Sequence, residues 1–140
     1  MLSSEKSYFD NVLMKYAIIG SRNCGAVDIT NMVAAAAASF GTPTAIVSGG
    51  ARGVDTLAET YAADNGIKFI KITPDYAQYG RAATFIRNRA IIDKADCVVA
   101  VWDGRSHGTK YSMDYARKKG KPIKIFMYEI RNKTNPFVGH

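Results

Sequence analysis

Three short segments bring glycine, hydroxyl and arginine side chains together in the pattern that anion binding requires. They are Gly20-Ser21-Arg22-Asn23, Ser48-Gly49-Gly50-Ala51-Arg52-Gly53-Val54-Asp55 and Trp102-Asp103-Gly104-Arg105-Ser106-His107-Gly108-Thr109. Glycine lets backbone N–H groups come close to a phosphate. A helix starting just after such a loop adds a favourable dipole, and arginine offers a bidentate fork to the oxygens. Ser21, Ser48 and Thr109 can add hydroxyl donors. Each segment carries an arginine (Arg22, Arg52 and Arg105), and the three are expected to meet at one rim. In any one segment the glycines need only make a tight turn; three converging segments favour a phosphate-bearing ligand. No G-x-x-x-x-G-K-[ST] or G-x-G-x-x-G string occurs, which disfavours a P-loop ATPase and a conventional NAD dehydrogenase.

Groups that could do chemistry beyond binding are few. Asp103 is the best-placed carboxylate and the one candidate catalytic residue: it can accept from a ribose hydroxyl, or simply cap a turn. Asp55 and Glu59 stand one helical turn apart and can act as acid and base, although a carboxylate at a helix start also suits the helix dipole. His107 has no orienting partner in sequence, and Cys24 has no partner histidine. Trp102, Tyr76 and Tyr79 can stack on a base or pack in the ordinary way. Arg87-Asn88-Arg89 is either a solvated basic helix face or a group drawn toward the ligand, and spacing leaves both open. The cysteines Cys24 and Cys97 and the histidines His107 and His140 lack zinc-ligand spacing and form no disulfide framework. No cofactor and no metal is expected.

The elements that must position these residues alternate along the chain. Apolar runs rich in β-branched residues at 16–20, 44–48, 68–72, 97–102 and 123–127 predict strands buried on both faces, as a parallel sheet requires. Between them, helices are predicted over about 28–39, 54–65, 82–94 and 109–119. The first holds the run Ala34-Ala35-Ala36-Ala37-Ala38, and the third is expected to turn Phe85, Ile86 and Ile92 inward. The last closes on Arg117, Lys118, Lys119, Gly120 and Pro122, a strong stop signal. The expected fold is α/β, a Rossmann-like doubly wound sheet of about five mainly parallel strands flanked by helices. Ligands on such sheets bind beyond the carboxyl ends of the strands, where the three segments fall.

The chain has 140 residues, 47% of them apolar and 22% charged, so one globular domain is expected over 15–128. Residues 1–14 read as an extension with a short helix and 129–140 as a loose tail. The formal net charge of +7 suits an anionic partner. No apolar run is long enough to span a membrane, and the first residues carry charges where a signal peptide would be apolar. A cytoplasmic protein without membrane contact is expected.

Taken together, SGGARGVDTLAE, FIRNRAIIDKADCVVAVWDG and SHGTKYSMDYARKKGKPI resemble the SLOG superfamily over about residues 17–126. That group includes the DprA (Smf) proteins, the LOG phosphoribohydrolases and small stand-alone proteins, and the chain looks most like the YspA-like stand-alone branch. The resemblance implies a Rossmann-like fold that binds nucleotides or nucleotide-derived ligands, commonly as a homo-oligomer. It also favours Arg87 as a ligand contact, since LOG enzymes use an arginine at the matching distance together with a glutamate. That glutamate's position holds Ser112 here. The main expectation is therefore a sensor, carrier or sequestering protein for a nucleotide or an NAD- or ADP-ribose-like compound. Its contacts would be Gly20, Ser21, Arg22, Ser48, Gly49, Gly50, Arg52, Gly53, Asp55, Arg87, Asn88, Asp103, Gly104, Arg105, Ser106, Gly108 and Thr109. One alternative is a phosphoribohydrolase cleaving the N-glycosidic bond of nucleoside monophosphates, with Arg87 on the phosphate and Asp103 assisting. The other is DprA-like binding of single-stranded nucleic acid, for which the basic stretch Arg117-Lys118-Lys119-Gly120-Lys121 offers a surface.

Overall fold

Alternation of side chains along the strands settles which helix covers which face. The computed structural model describes residues 13–128 apart from 26 and 51, so the extensions expected at either end lie outside the described residues except for 13 and 14. Strands β1 (Lys15–Gly20), β2 (Ala45–Ser48), β3 (Lys68–Lys71), β4 (Cys97–Trp102) and β5 (Ile123–Met127) form one sheet in the order β3-β2-β1-β4-β5. Every pairing is parallel. The helices are α1 (Ile29–Phe40), α2 (Val54–Asp64), the single turn α3 (Tyr76–Tyr79), α4 (Ala83–Lys94) and α5 (His107–Lys118), with a 3-10 turn over Gly80–Ala82 leading into α4.

Tyr16 and Ile18 of β1, with Cys97, Val99 and Val101 of β4, face one layer: Ile29, Val33 and Ala36 of α1 and Val54, Ala58 and Ala62 of α2. Ala17 and Ile19, with Val98 and Ala100, face the other: Ile91 and Ile92 of α4 and Met113 and Ala116 of α5. The strand period of two and the helix spacing of three to four thus close two cores on one sheet. This is the expected doubly wound α/β architecture, and the order of strands reverses between β1 and β4.

Local chemistry accounts for most boundaries. Asp28 caps α1, its carboxylate accepting from the Asn31 N–H at 3.1 Å. Ser106 caps α5, so that helix starts at His107, two residues before the expected start. The turn α3 and the 3-10 turn were not foreseen; Asp75 caps α3 by accepting from the Gln78 N–H at 3.0 Å. One packing expectation is corrected. Phe85 is 47% exposed, because the buried line of α4 runs through Ala83, Arg87 and Ile91. At 3.6 residues per turn, position 85 stands on the far side of that line. Among the described residues no helix is long and apolar enough to cross a membrane.

Candidate functional site

Where the strand order reverses, the loops after β1 and β4 part and leave a hollow of about 710 Å³ at the carboxyl edge of the sheet. The β1 loop contributes Gly20, Ser21, Arg22 and Asn23, and the β4 loop contributes Asp103, Arg105 and Ser106. His107, Gly108, Thr109 and Ser112 line it from the first turns of α5, and Asp55 from the first turn of α2. Helix α4 supplies Thr84, Arg87, Asn88 and Ile91, one stripe at the i, i+3, i+4, i+7 spacing. Arg22, Arg87 and Arg105 therefore line one hollow, whereas Arg52, expected to meet Arg22 and Arg105 there, lies outside it.

Arg87 is the buried cation of the site at 8% exposure. Its Nε donates to Asn88 Oδ1 at 2.8 Å and its Nη1 to the Gly49 carbonyl at 3.2 Å. A Cβ on Gly49 would lie 2.6 Å from that Nη1 and 3.0 Å from Asp55 Oδ2, so the glycine makes room for the guanidinium and the carboxylate alike. Ser48 Oγ lies 2.8 Å from Asp55 Oδ1 and 2.9 Å from the Ile18 carbonyl, tying the end of β2 to both β1 and α2. The Ser21 hydroxyl is buried close to the Tyr128 hydroxyl.

Asp103 realises the turn-capping alternative. Its Oδ1 accepts from the N–H groups of Arg105 and Ser106, both at 2.8 Å. Burial raises its pKa, but those backbone donors and the Arg105 charge outweigh it and hold the carboxyl below its ordinary value. Trp102 Nε1 donates to the Ser106 carbonyl at 3.0 Å, which braces the same loop. On α5, Ser112 faces the hollow, whereas Asp114 is exposed and bonded to Lys110 at 2.8 Å and Arg117 at 3.3 Å. The carboxylates lining the hollow are thus Asp55 and Asp103, each holding a loop in place.

Ser48, Gly49, Gly50, Arg52, Gly53 and Gly104 fall outside the lining residues. Gly53 has φ +77°, and a Cβ there would lie 2.5 Å from the carbonyl oxygens of Ser21 and Arg22. At Gly20 a Cβ would lie 2.5 Å from Val54 Cγ2 and 2.6 Å from the Val101 carbonyl. These glycines let one stretch of chain approach another, and the Val54 N–H donates to the Ser21 carbonyl at 3.4 Å across that contact. Gly50 lies beneath the stem of Lys71, and Arg52 is exposed. Sequence reasoning missed Asn23, Thr84, Ile91 and Ser112, and read His107 as an ordinary loop residue. Stepping three and four residues either way from Arg87 would have found Thr84 and Ile91.

Comparisons with known proteins address the family. The model of the DNA recombination-mediator protein A family matches residues 7–80, a stretch that takes in the loops after β1 and β2. The Gene 61 protein of Mycobacterium phage D29 is 34% identical over 84 residues, which is 56% of this chain and 67% of that protein. A chain solved for the unique single-stranded DNA binding mode of DNA processing protein A from Helicobacter pylori matches with a TM-score of 0.58 at 26% identity. That match covers 86% of this chain and 67% of the other. These findings overturn the expectation of a nucleotide or ADP-ribose-like small molecule as main ligand, since both the family model and the solved chain are of DNA-processing proteins. Of the glycines read as a phosphate cradle after β2, Gly49 faces the Arg87 and Asp55 side chains, Gly50 the Lys71 stem and Gly53 the β1 loop, and none of the three lines the hollow.

Proposed function

We propose, for a chain that belongs to the DNA recombination-mediator protein A family, that it binds single-stranded DNA at the hollow beyond the carboxyl ends of β1 and β4. The observation that carries this reading is the convergence of Arg22, Arg87 and Arg105 on one hollow whose two carboxylates are already engaged by serine and backbone donors. A phosphodiester presented there meets arginine forks and the N-terminal end of α5. The likeness to a solved DNA processing protein A supports the choice of single-stranded DNA among polyanions.

Arg22 and Arg105 are the exposed members of the trio, and among the described residues neither makes an ion pair, so both are available to a backbone. Fluorescence anisotropy with a labelled single-stranded oligonucleotide across a salt series tests the proposal. Affinity should fall steeply with salt, and Arg22→Ala or Arg105→Ala should each lower the slope of log K against log salt by about one. No binding at low salt, or variants that titrate like the unaltered chain, overturns it.

A further inference from the structure

Phe85 of α4 and Tyr111 of α5 form an edge-to-face pair with ring centroids 4.8 Å apart and planes at 67°. Phe85 is 47% exposed and Tyr111 is half-buried. Neither ring lines the hollow, but each has neighbours that do. Phe85 is next to Thr84 and one turn before Asn88; Tyr111 is next to Ser112 and one turn after Gly108, and those four residues all line the hollow. An exposed cation flanks the pair, Arg89 one turn beyond Phe85, while Lys110 beside Tyr111 is paired with Asp114. An edge-to-face contact uses one face of one ring and the edge of the other, so the pair keeps free π-faces. Water is a poor partner for such a surface, whereas a nucleobase stacks on it whatever its sequence.

We infer that Phe85 and Tyr111 form a stacking platform for an unpaired base of the strand whose backbone occupies the hollow. This rests on the single-stranded DNA reading and adds to it the element that tells single strand from duplex. A duplex hides its base faces in its own stack and offers the platform nothing, while arginines alone attract either form. Arg89 suits a polyanion and disfavours a second copy of this chain, which would bring its own Arg89 to the same surface.

The test compares Phe85→Leu, which keeps apolar bulk without a π-face, with Phe85→Trp, which keeps one. On a single-stranded oligonucleotide of about 20 nucleotides, Phe85→Leu should weaken binding about five- to hundred-fold at fixed salt and leave the salt slope unchanged. Phe85→Trp should restore it, and duplex binding should be the same in all three proteins. A 2-aminopurine base in the strand should be quenched on binding by the unaltered chain and less so by Phe85→Leu. Single-strand binding that Phe85→Leu leaves intact overturns the platform alone, as does equal weakening of single strand and duplex. Light scattering that shows a dimer dispersed by Phe85→Leu also overturns it, because a second copy then covers the pair. An unaltered chain that binds no DNA overturns the underlying reading and the platform with it.

Discussion

Gly53→Ala is expected to be among the most damaging single-methyl changes in this protein, and its cost can be worked from the backbone. Gly53 sits at φ +77° and ψ −125°, a conformation that an L side chain adopts only under strain of about 1–3 kcal/mol. The new Cβ would also lie 2.5 Å from two backbone carbonyl oxygens, those of Ser21 and Arg22. Neither can swing aside as a side chain would, so the β1 loop must move away from α2. That movement breaks the Val54 N–H contact to the Ser21 carbonyl, worth a further 0.5–1.5 kcal/mol or so. The sum is about 1.5–4.5 kcal/mol, a large share of the 5–15 kcal/mol or so that holds a domain together. Gly66→Ala is the control, since its φ is +63° but a Cβ there would meet nothing within 4 Å. Only the left-handed penalty of about 1 kcal/mol remains. Urea denaturation with a common slope should place the Gly53→Ala midpoint roughly 1–3 M below that of the unaltered chain, and the Gly66→Ala midpoint only a fraction of that. Equal shifts for the two variants would refute the claim that loop-to-loop contact, rather than glycine's backbone freedom, is what position 53 requires.

Two predictions concern pH. Tyr16 and Cys97 face each other across β1 and β4, and burial before all else raises each pKa to about 12, from 10.0 and 9.0 respectively. Both stay protonated in the fold where the free chain would ionise, so stability is full below about pH 9 and falls as pH rises toward about 12. At about 1.36 kcal/mol per unit the Tyr16 share is of order 2 kcal/mol. Denaturation midpoints measured from pH 7 upward should show the loss, and Cys97→Ala should delay its onset; a flat profile would contradict it. Asp103 is held below its ordinary value, so its contribution is present above the unfolded carboxylate pKa and is lost as pH falls through the folded one. Asp103→Ala should cost about 1 kcal/mol at neutral pH, and the difference from the unaltered chain should vanish in acid.

The fold was legible because its signals are local and redundant. Strand β4 falls where its apolar run places it, since a strand buried on both faces has to be apolar throughout, and β5 also matches its run although it is a half-buried edge strand carrying Lys124. The stretch Tyr76–Ala82 was not legible, for a single helical turn and a 3-10 turn are too short to carry a periodic pattern. Phe85 was misplaced for a different reason. Three apolar residues near one end of a helix fit more than one face, and the choice fell to Arg87, which is buried because the Gly49 carbonyl and Asn88 receive its guanidinium. With an aromatic outward and a charge inward, a sequence reading that sends aromatics inward misplaces Phe85, while spacing alone leaves Arg87 open.

The fold also explains why the count of basic residues pointed nowhere. The cations at the end of α5 look like a polyanion surface in the sequence, yet the structure gives many of them partners. Asp114 holds Lys110 and Arg117, Lys121 donates to the Ala95 carbonyl at 2.7 Å, and Lys119 lies 5.6 Å from the centre of the Tyr115 ring. Cations near a helix C-terminus also suit its dipole. Among the described residues Arg22 and Arg105 form no ion pair, although the Arg105 charge acts on Asp103, and they stand where the loops after β1 and β4 part. What marks a binding site in a basic protein is thus not where cations are densest. It is where they remain unmatched beside a cavity, a property of the fold that spacing along the chain does not carry.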